Sequence, residues 1–282
     1  MRAWWREQRR PLDIWFAPQV ARAELAQGLS LDRTRRTADG GRVTVLTVDP
    51  KRMQVEAGFI DGVRAISPNQ VRKAPGLLAA LNGTFFGFGA QEGTYGDLLG
   101  QQAAYRDEEL SPNYDAISDK RWFLARATDG SVSFGRGGLR EQQATRGDMT
   151  GFIGGMGRLY GPDELATLPR DVASGAFWSR IRSAVADRSF PNTDLTSAIP
   201  RTVVGRRADG QLLLVSIGEG KERGLGANFA EAAMLMRSLG AVEAYTLDGG
   251  GSTHLIAPGV LETQTDGRVV KSYLYVKPVI QG

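Results

Sequence analysis

The strongest constraint on this chain is a single unit running from residue 228 to residue 254. Between Asn228 and Leu239 the apolar positions Phe229, Ala232, Ala233, Leu235, Met236 and Leu239 recur at helical spacing and form one broad stripe. Asn228 stands where an N-cap belongs and Glu231 follows at the capping-box position. Gly240 falls where a left-handed residue closes a helix. The apolar run Ala241 to Leu247 then reads as a buried strand and opens into Asp248-Gly-Gly-Gly-Ser252, followed by Thr253 and His254. Glycine reaches positive φ without a Cβ clash and lets a ligand approach the backbone closely. The unit therefore predicts a helix packed on a sheet, with a carboxylate at the C-terminal mouth of one of its strands.

The rest of the chain is mostly hairpin signals. Val43–Val48 and Met53–Phe59 flank Asp49 and Pro50. Arg121–Thr128 and Ser131–Phe134 flank Asp129 and Gly130, and Arg201–Val204 and Leu212–Ile217 flank Ala208-Asp-Gly210. Gly76 to Leu81 reads as a buried strand ending in Asn82-Gly-Thr-Phe-Phe86, and Ser252–Ala257 and Ser272–Val276 as two closing strands. Pro162–Leu168 and Asp171–Ala186 look helical and place a smaller helical insertion at 160–198. Residues 1–40 read as a basic, aromatic arm with a short helix at Val20–Gln27, ahead of one catalytic domain at 41–282. Runs of strands with few helices predict an α+β fold with a mixed, largely antiparallel sheet and packed helices.

Composition narrows the chemistry. A chain of 282 residues with 41% hydrophobic content can bury a full core. It has no cysteine, which excludes disulfides, a thiolate zinc site and a cysteine nucleophile. No run approaches the roughly 20 apolar residues of a membrane span. The first ten residues lack the apolar centre of a signal peptide, so the sequence points to the cytoplasm by default or to another export route. The net charge of +4 suits an anionic ligand without demanding one.

Three carboxylates are candidates for chemistry: Asp248, Asp97 behind Gly96, and Glu219 between Gly218 and Gly220. They read equally as catalytic carboxylates and as an oxygen-rich site for Ca²⁺ or Mg²⁺. On the ligand-binding side stand Gly249, Gly250, Gly251 and Ser252, whose backbone N–H groups can form an anion nest. Asn82 and Thr84 end a strand, and the Asn82 amide donates and accepts at once, as sugar hydroxyls require. Phe85 and Phe86 beside them read as core packing. Arg201 offers a fork that suits phosphate, and His254 a proton carrier or ligand contact. Strand alternation would place Ser252 and His254 on one face.

Taken in order, these segments resemble the phosphodiester glycosidase family. The pieces are Ala80-Leu-Asn-Gly-Thr-Phe-Phe86, Gly96-Asp-Leu-Leu99, Ile153-Gly-Gly155, Pro200-Arg-Thr-Val-Val-Gly205, Ala208-Asp-Gly-Gln-Leu-Leu-Leu-Val215 and Leu247-Asp-Gly-Gly-Gly-Ser252, within residues 43–277. The resemblance implies hydrolysis of a sugar-1-phosphodiester at the anomeric carbon–oxygen bond. Asp248 and its loop would line the pocket, Arg201 would hold the phosphate and Asn82 would bind near it, with Asp97 a weaker match. The chain departs from the family at Ser216-Ile-Gly-Glu-Gly220 and before its last strand, where Lys271 or Arg268 stands for the usual arginine.

The expected partner is a small molecule or glycan carrying a phosphodiester. The alternative is a non-catalytic binding module for a phosphorylated sugar or nucleotide. A nucleic-acid surface built from Arg2, Arg6, Arg9, Arg10, Arg33, Arg35 and Arg36 with Trp4, Trp5 and Trp15 is a third reading that no recognition motif supports.

Overall fold

A computed structural model describes residues 22–37, 39–88, 92–100, 104–106, 120–165, 175–191, 194–218, 225–257, 260–263 and 268–279. Its strands, in chain order, are β1 (Arg22–Ala26), β2 (Leu29–Arg36), β3 (Arg42–Val48), β4 (Met53–Gly58), β5 (Ala79–Asn82), β6 (Leu98–Leu99), β7 (Ala104–Tyr105) and β8 (Trp122–Ala127). They continue as β9 (Val132–Arg136), β10 (Met149–Tyr160), β11 (Arg201–Arg207), β12 (Leu212–Ile217), β13 (Ala241–Thr246), β14 (His254–Ala257), β15 (Val260–Thr263) and β16 (Tyr273–Pro278). The helices are α1 (Pro68–Val71), α2 (Leu139–Arg146), α3 (Pro162–Leu165), α4 (Gly175–Ala186) and α5 (Phe229–Ser238).

Two sheets form. The larger runs β1-β2-β3-β12-β11-β13-β10-β6-β7, with β8 on β10 and β9 on β8, and the smaller runs β15-β14-β5-β16-β4. Every strand pairing among the described residues is antiparallel. The fold is thus α+β as expected, with fewer packed helices than the sequence suggested.

Period-two alternation explains the layering. On β12, Leu212 and Leu214, together with Leu46 and Val48 of β3, face Leu81, Leu255 and Leu274 of the smaller sheet. Leu213, Val215 and Ile217 face the opposite way, against Phe229, Ala233 and Met236 of α5 and Phe177 and Ile181 of α4. The smaller sheet turns Ala80, Ile256 and Tyr273 outward, under Ile66 and under Val71 of α1. The central strands β11 to β13 are therefore covered on both sides, which is why they read as continuous apolar runs rather than as alternation.

The hairpins at 121–134 and 201–217 form as expected. So does α5, where Asn228 Oδ1 accepts from the Glu231 N–H at 2.9 Å and Glu231 Oε2 accepts from the Asn228 N–H at 2.8 Å. Three expectations fail. Residues 43–59 are not a hairpin: β3 pairs with β2 and β12, β4 pairs with β16, and the turn at Asp49 passes the chain from one sheet to the other. The segment read as a short helix is strand β1, hydrogen-bonded to β2, and residues 29–36 of the supposed arm extend the larger sheet beside β3. Ser252 lies in a 3₁₀ turn, Gly250–Ser252, and the strand begins only at His254.

Candidate functional site

Strand β13 ends at Thr246 in the larger sheet and β14 begins at His254 in the smaller one. The Asp248–Ser252 loop is therefore the crossover between the two sheets. Its shape is fixed from both sides. The Asp248 N–H donates to the Gly83 carbonyl at 3.2 Å, and the Gly250 N–H donates to the Pro200 carbonyl at 2.7 Å. A Cβ on Gly249 would lie 2.9 Å from that same Pro200 oxygen, so the close approach requires glycine. The Ser252 and Thr253 N–H groups donate to Gly249 and Gly250 within the turn. These N–H groups are spent internally and are not free for the anion nest expected from the glycines.

Asp248 sits half-buried at the mouth of β13, with Oδ1 accepting from the Gly249 N–H at 2.8 Å. Burial pushes its carboxyl up to about 6, against the opposing help of the Ser252 hydroxyl, the Gly249 N–H, Arg268 and Arg201. A carboxylate shifted toward neutrality by burial is a functional-site signature.

Asn82, expected to meet substrate, is fully buried behind the loop. Its Oδ1 accepts from the Thr202 hydroxyl at 2.6 Å and from the His254 N–H at 3.0 Å, while its Nδ2 donates to the Asp248 carbonyl at 2.8 Å. One amide thus joins β5 to β11 and to both ends of the crossover, and no lone pair of its oxygen is left for a sugar. Thr84, two residues on, is also buried. Its N–H donates to the Ser272 hydroxyl at 3.1 Å, and its own hydroxyl has no protein partner. Gly155 on β10 faces that hydroxyl, with φ +76°, and a Cβ there would stand 2.2 Å from it.

Arg201 at the start of β11 is 1% exposed. Its Nε donates to the Ala227 carbonyl at 3.0 Å and its Nη2 to the carbonyls of Asp194 and Ser197 at 2.8 and 3.0 Å. The guanidinium lies 4.0 Å from the centre of the Phe229 ring, and Nη1 has no protein partner. Burial lowers its pKa to about 10, so it stays charged at neutral pH. His254 is buried, with Nδ1 2.8 Å from the Tyr273 hydroxyl and its ring stacked on that of Tyr273.

Of the other two carboxylates, Asp97 is engaged at the start of α2. Asp97 is 3% exposed, and its Oδ2 accepts from the Leu139 N–H at 2.6 Å. It caps α2 in place of Gly138, which has no side chain to do so. Glu219 lies outside the described residues. Among those described, no group of three or more His, Asp or Glu side chains gathers to hold a metal ion. Arginines 2, 6, 9 and 10 and the tryptophans at 4, 5 and 15 also lie outside them.

Thr202, Ser272 and Gly155 complete the site; Thr202 and Gly155 fell within the segments that carried the family resemblance, but the role of none of the three was legible in sequence. Ser272 packs against Gly83, where a Cβ would stand 2.2 Å from its hydroxyl. Each is an ordinary residue within a strand or beside one, given a role only by the packing of distant segments.

The architecture and site define a two-sheet α+β protein whose inter-sheet crossover carries a half-buried carboxylate beside a buried arginine. The sequence profile of the phosphodiester glycosidase family matches residues 75–277. The chain belongs to that family. Among solved structures it is similar to a hypothetical protein from Synechocystis, with 15% identity and TM-score 0.63, covering 92% of this chain and 64% of that one. It is also similar to the catalytic domain of zebrafish N-acetylglucosamine-1-phosphodiester alpha-N-acetylglucosaminidase, auto-inhibited by its pro-peptide. That match has 16% identity and TM-score 0.60 and covers 88% of this chain and 82% of that one. These likenesses support the fold. No protein of curated function matches the chain. No helix among the described residues is long and apolar enough to cross a membrane.

Proposed function

We propose that the protein hydrolyses a sugar-1-phosphodiester at the anomeric carbon–oxygen bond, with Asp248 as the carboxylate that acts at the anomeric centre. The observation that carries this reading is Asp248 itself: a carboxylate at the mouth of a buried strand, its pKa near 6, held by the Gly249 N–H and the Ser252 hydroxyl. The charged form stabilises the positive charge that develops at the anomeric carbon as the bond to phosphate breaks. The departing phosphomonoester is a stable anion and needs less protonation than an ordinary alcohol. Arg201 and Arg268 are both near enough to Asp248 to favour its negative charge, and the same cations would attract the phosphate. Asn82, Thr202 and Ser272 position the loop and do not touch substrate.

The substrate tried first is a methyl phosphodiester of N-acetylglucosamine, the sugar named for the zebrafish relative. Asp248→Asn is expected to lower kcat/KM about a thousandfold while the circular dichroism spectrum is unchanged. Undiminished turnover by that variant would defeat the proposal. Stoichiometric recovery of an uncleaved sugar phosphate from the wild type, with no turnover, would establish the binding-module reading instead.

A further inference from the structure

Large apolar side chains stand exposed at three of the described positions: Ile60 at 44%, Phe88 at 76% and Val269 at 44%. They are far apart in sequence but belong to loops tied into one rim. Phe86 bridges Thr94, the Thr94 N–H donates to the Gly62 carbonyl at 3.0 Å, and Ile66 bridges Val270. The rim adjoins the crossover loop, because the Gly83 carbonyl that receives the Asp248 N–H begins the segment leading to Phe88. The Phe88 ring is held in place. Phe86 meets it edge-on at 5.4 Å and 60°, and the Arg268 guanidinium lies 5.2 Å from its centre.

An aromatic ring fixed from two sides and otherwise open to water forgoes the burial that usually keeps phenylalanine inside, which marks it as a contact surface. Arg268 links this ring to the crossover: its guanidinium touches the Phe88 ring and lies within electrostatic reach of the Asp248 carboxylate. A sugar-1-phosphodiester laid along them puts its anomeric carbon at Asp248, its phosphate toward Arg268 and the alcohol half of the diester at Phe88.

We propose that Phe88 determines specificity on the leaving side of the site by stacking on a ring carried by the alcohol half of the phosphodiester. The inference rests on the function proposed above for where the sugar lies, and it narrows the substrate to diesters whose second alcohol bears a flat or ring-shaped group. Phe88 is so exposed that its replacement leaves the fold intact.

The test measures binding, apart from turnover. Benzyl phosphate and methyl phosphate are titrated calorimetrically into the wild type, Phe88→Ala and Phe88→Trp. The wild type and Phe88→Trp are expected to bind benzyl phosphate about fivefold more tightly than methyl phosphate, and Phe88→Ala to bind the two alike. A wild type that does not distinguish them, or a preference that survives in Phe88→Ala, overturns the proposal. Failure of the proposed reaction shows separately, as wild-type protein that cleaves neither the benzyl nor the methyl phosphodiester of N-acetylglucosamine.

Discussion

At the scale of single residues, Asp248 carries opposed demands. Its carboxyl is raised from 3.8 to about 6, so the folded chain binds this proton more tightly than the unfolded chain does. The resulting stabilisation is full below pH about 4 and is lost as pH rises through about 6, a cost at neutral pH of order 2–3 kcal/mol. Asp248→Asn is therefore expected to be more stable than the wild type at pH 7, with a flatter urea midpoint between about pH 4 and 6. Turnover by the wild type should rise with pH through an apparent pKa near 6, as the charged form fills. Asn82 has the opposite profile. Asn82→Ala strips partners from the Thr202 hydroxyl, the His254 N–H and the Asp248 carbonyl, and is expected to cost about 3 kcal/mol in urea unfolding. Its kcat should fall with it, because the loop loses its anchor. Asp248 was legible in sequence because glycines and hydroxyls surround it locally. The work of Asn82 was not, since its partners lie 120, 166 and 172 residues away.

At the scale of elements, what could be read was what is encoded locally. The capping box of α5, the left-handed Gly240 and the Asp209-Gly210 turn each carry their signal within a few residues, and each formed as expected. Asn228→Ala is expected to lower stability by about 1 kcal/mol through loss of the cap, with activity retained. The turn at Asp49 looked like a hairpin because two β-branched runs flank it, and no local signal says which sheet each run will join. Helix α2 was missed because its cap comes from Asp97, on the far side of β6. The long strand β10 owes its irregular register to its glycines, and Gly155 is the most constrained of them. Gly155→Ala meets both the positive φ and the Thr84 hydroxyl. It is expected to destabilise the protein by about 2 kcal/mol or more and to disturb the site, read as a lower thermal midpoint and a lower kcat.

At the scale of the whole molecule, the fold class and the packing of a helix on the central sheet followed from the sequence, because alternation and apolar runs are properties of the chain itself. The division into two sheets did not, since strand partners are chosen by contacts distant in sequence. Strands β11, β12 and β13 are covered on both sides and bonded on both edges, so their amides are expected to exchange with deuterium slowest, at rates set by global unfolding. The amides of β1 and β7, at the ends of the larger sheet, should exchange first.

The strand order also bears on how the protein is made. Strand β13 lies between β11 and β10, and β5 is flanked by β14 and β16. Residues 241 to 278 thus supply the middle of one sheet and both neighbours of the central strand of the other. A chain emerging from the ribosome holds two unfinished sheets until that last stretch is free, and its edges must be kept apart meanwhile. Nascent chains stalled before residue 241 are therefore expected to sediment as aggregates when released, and chains released after residue 278 to stay in solution.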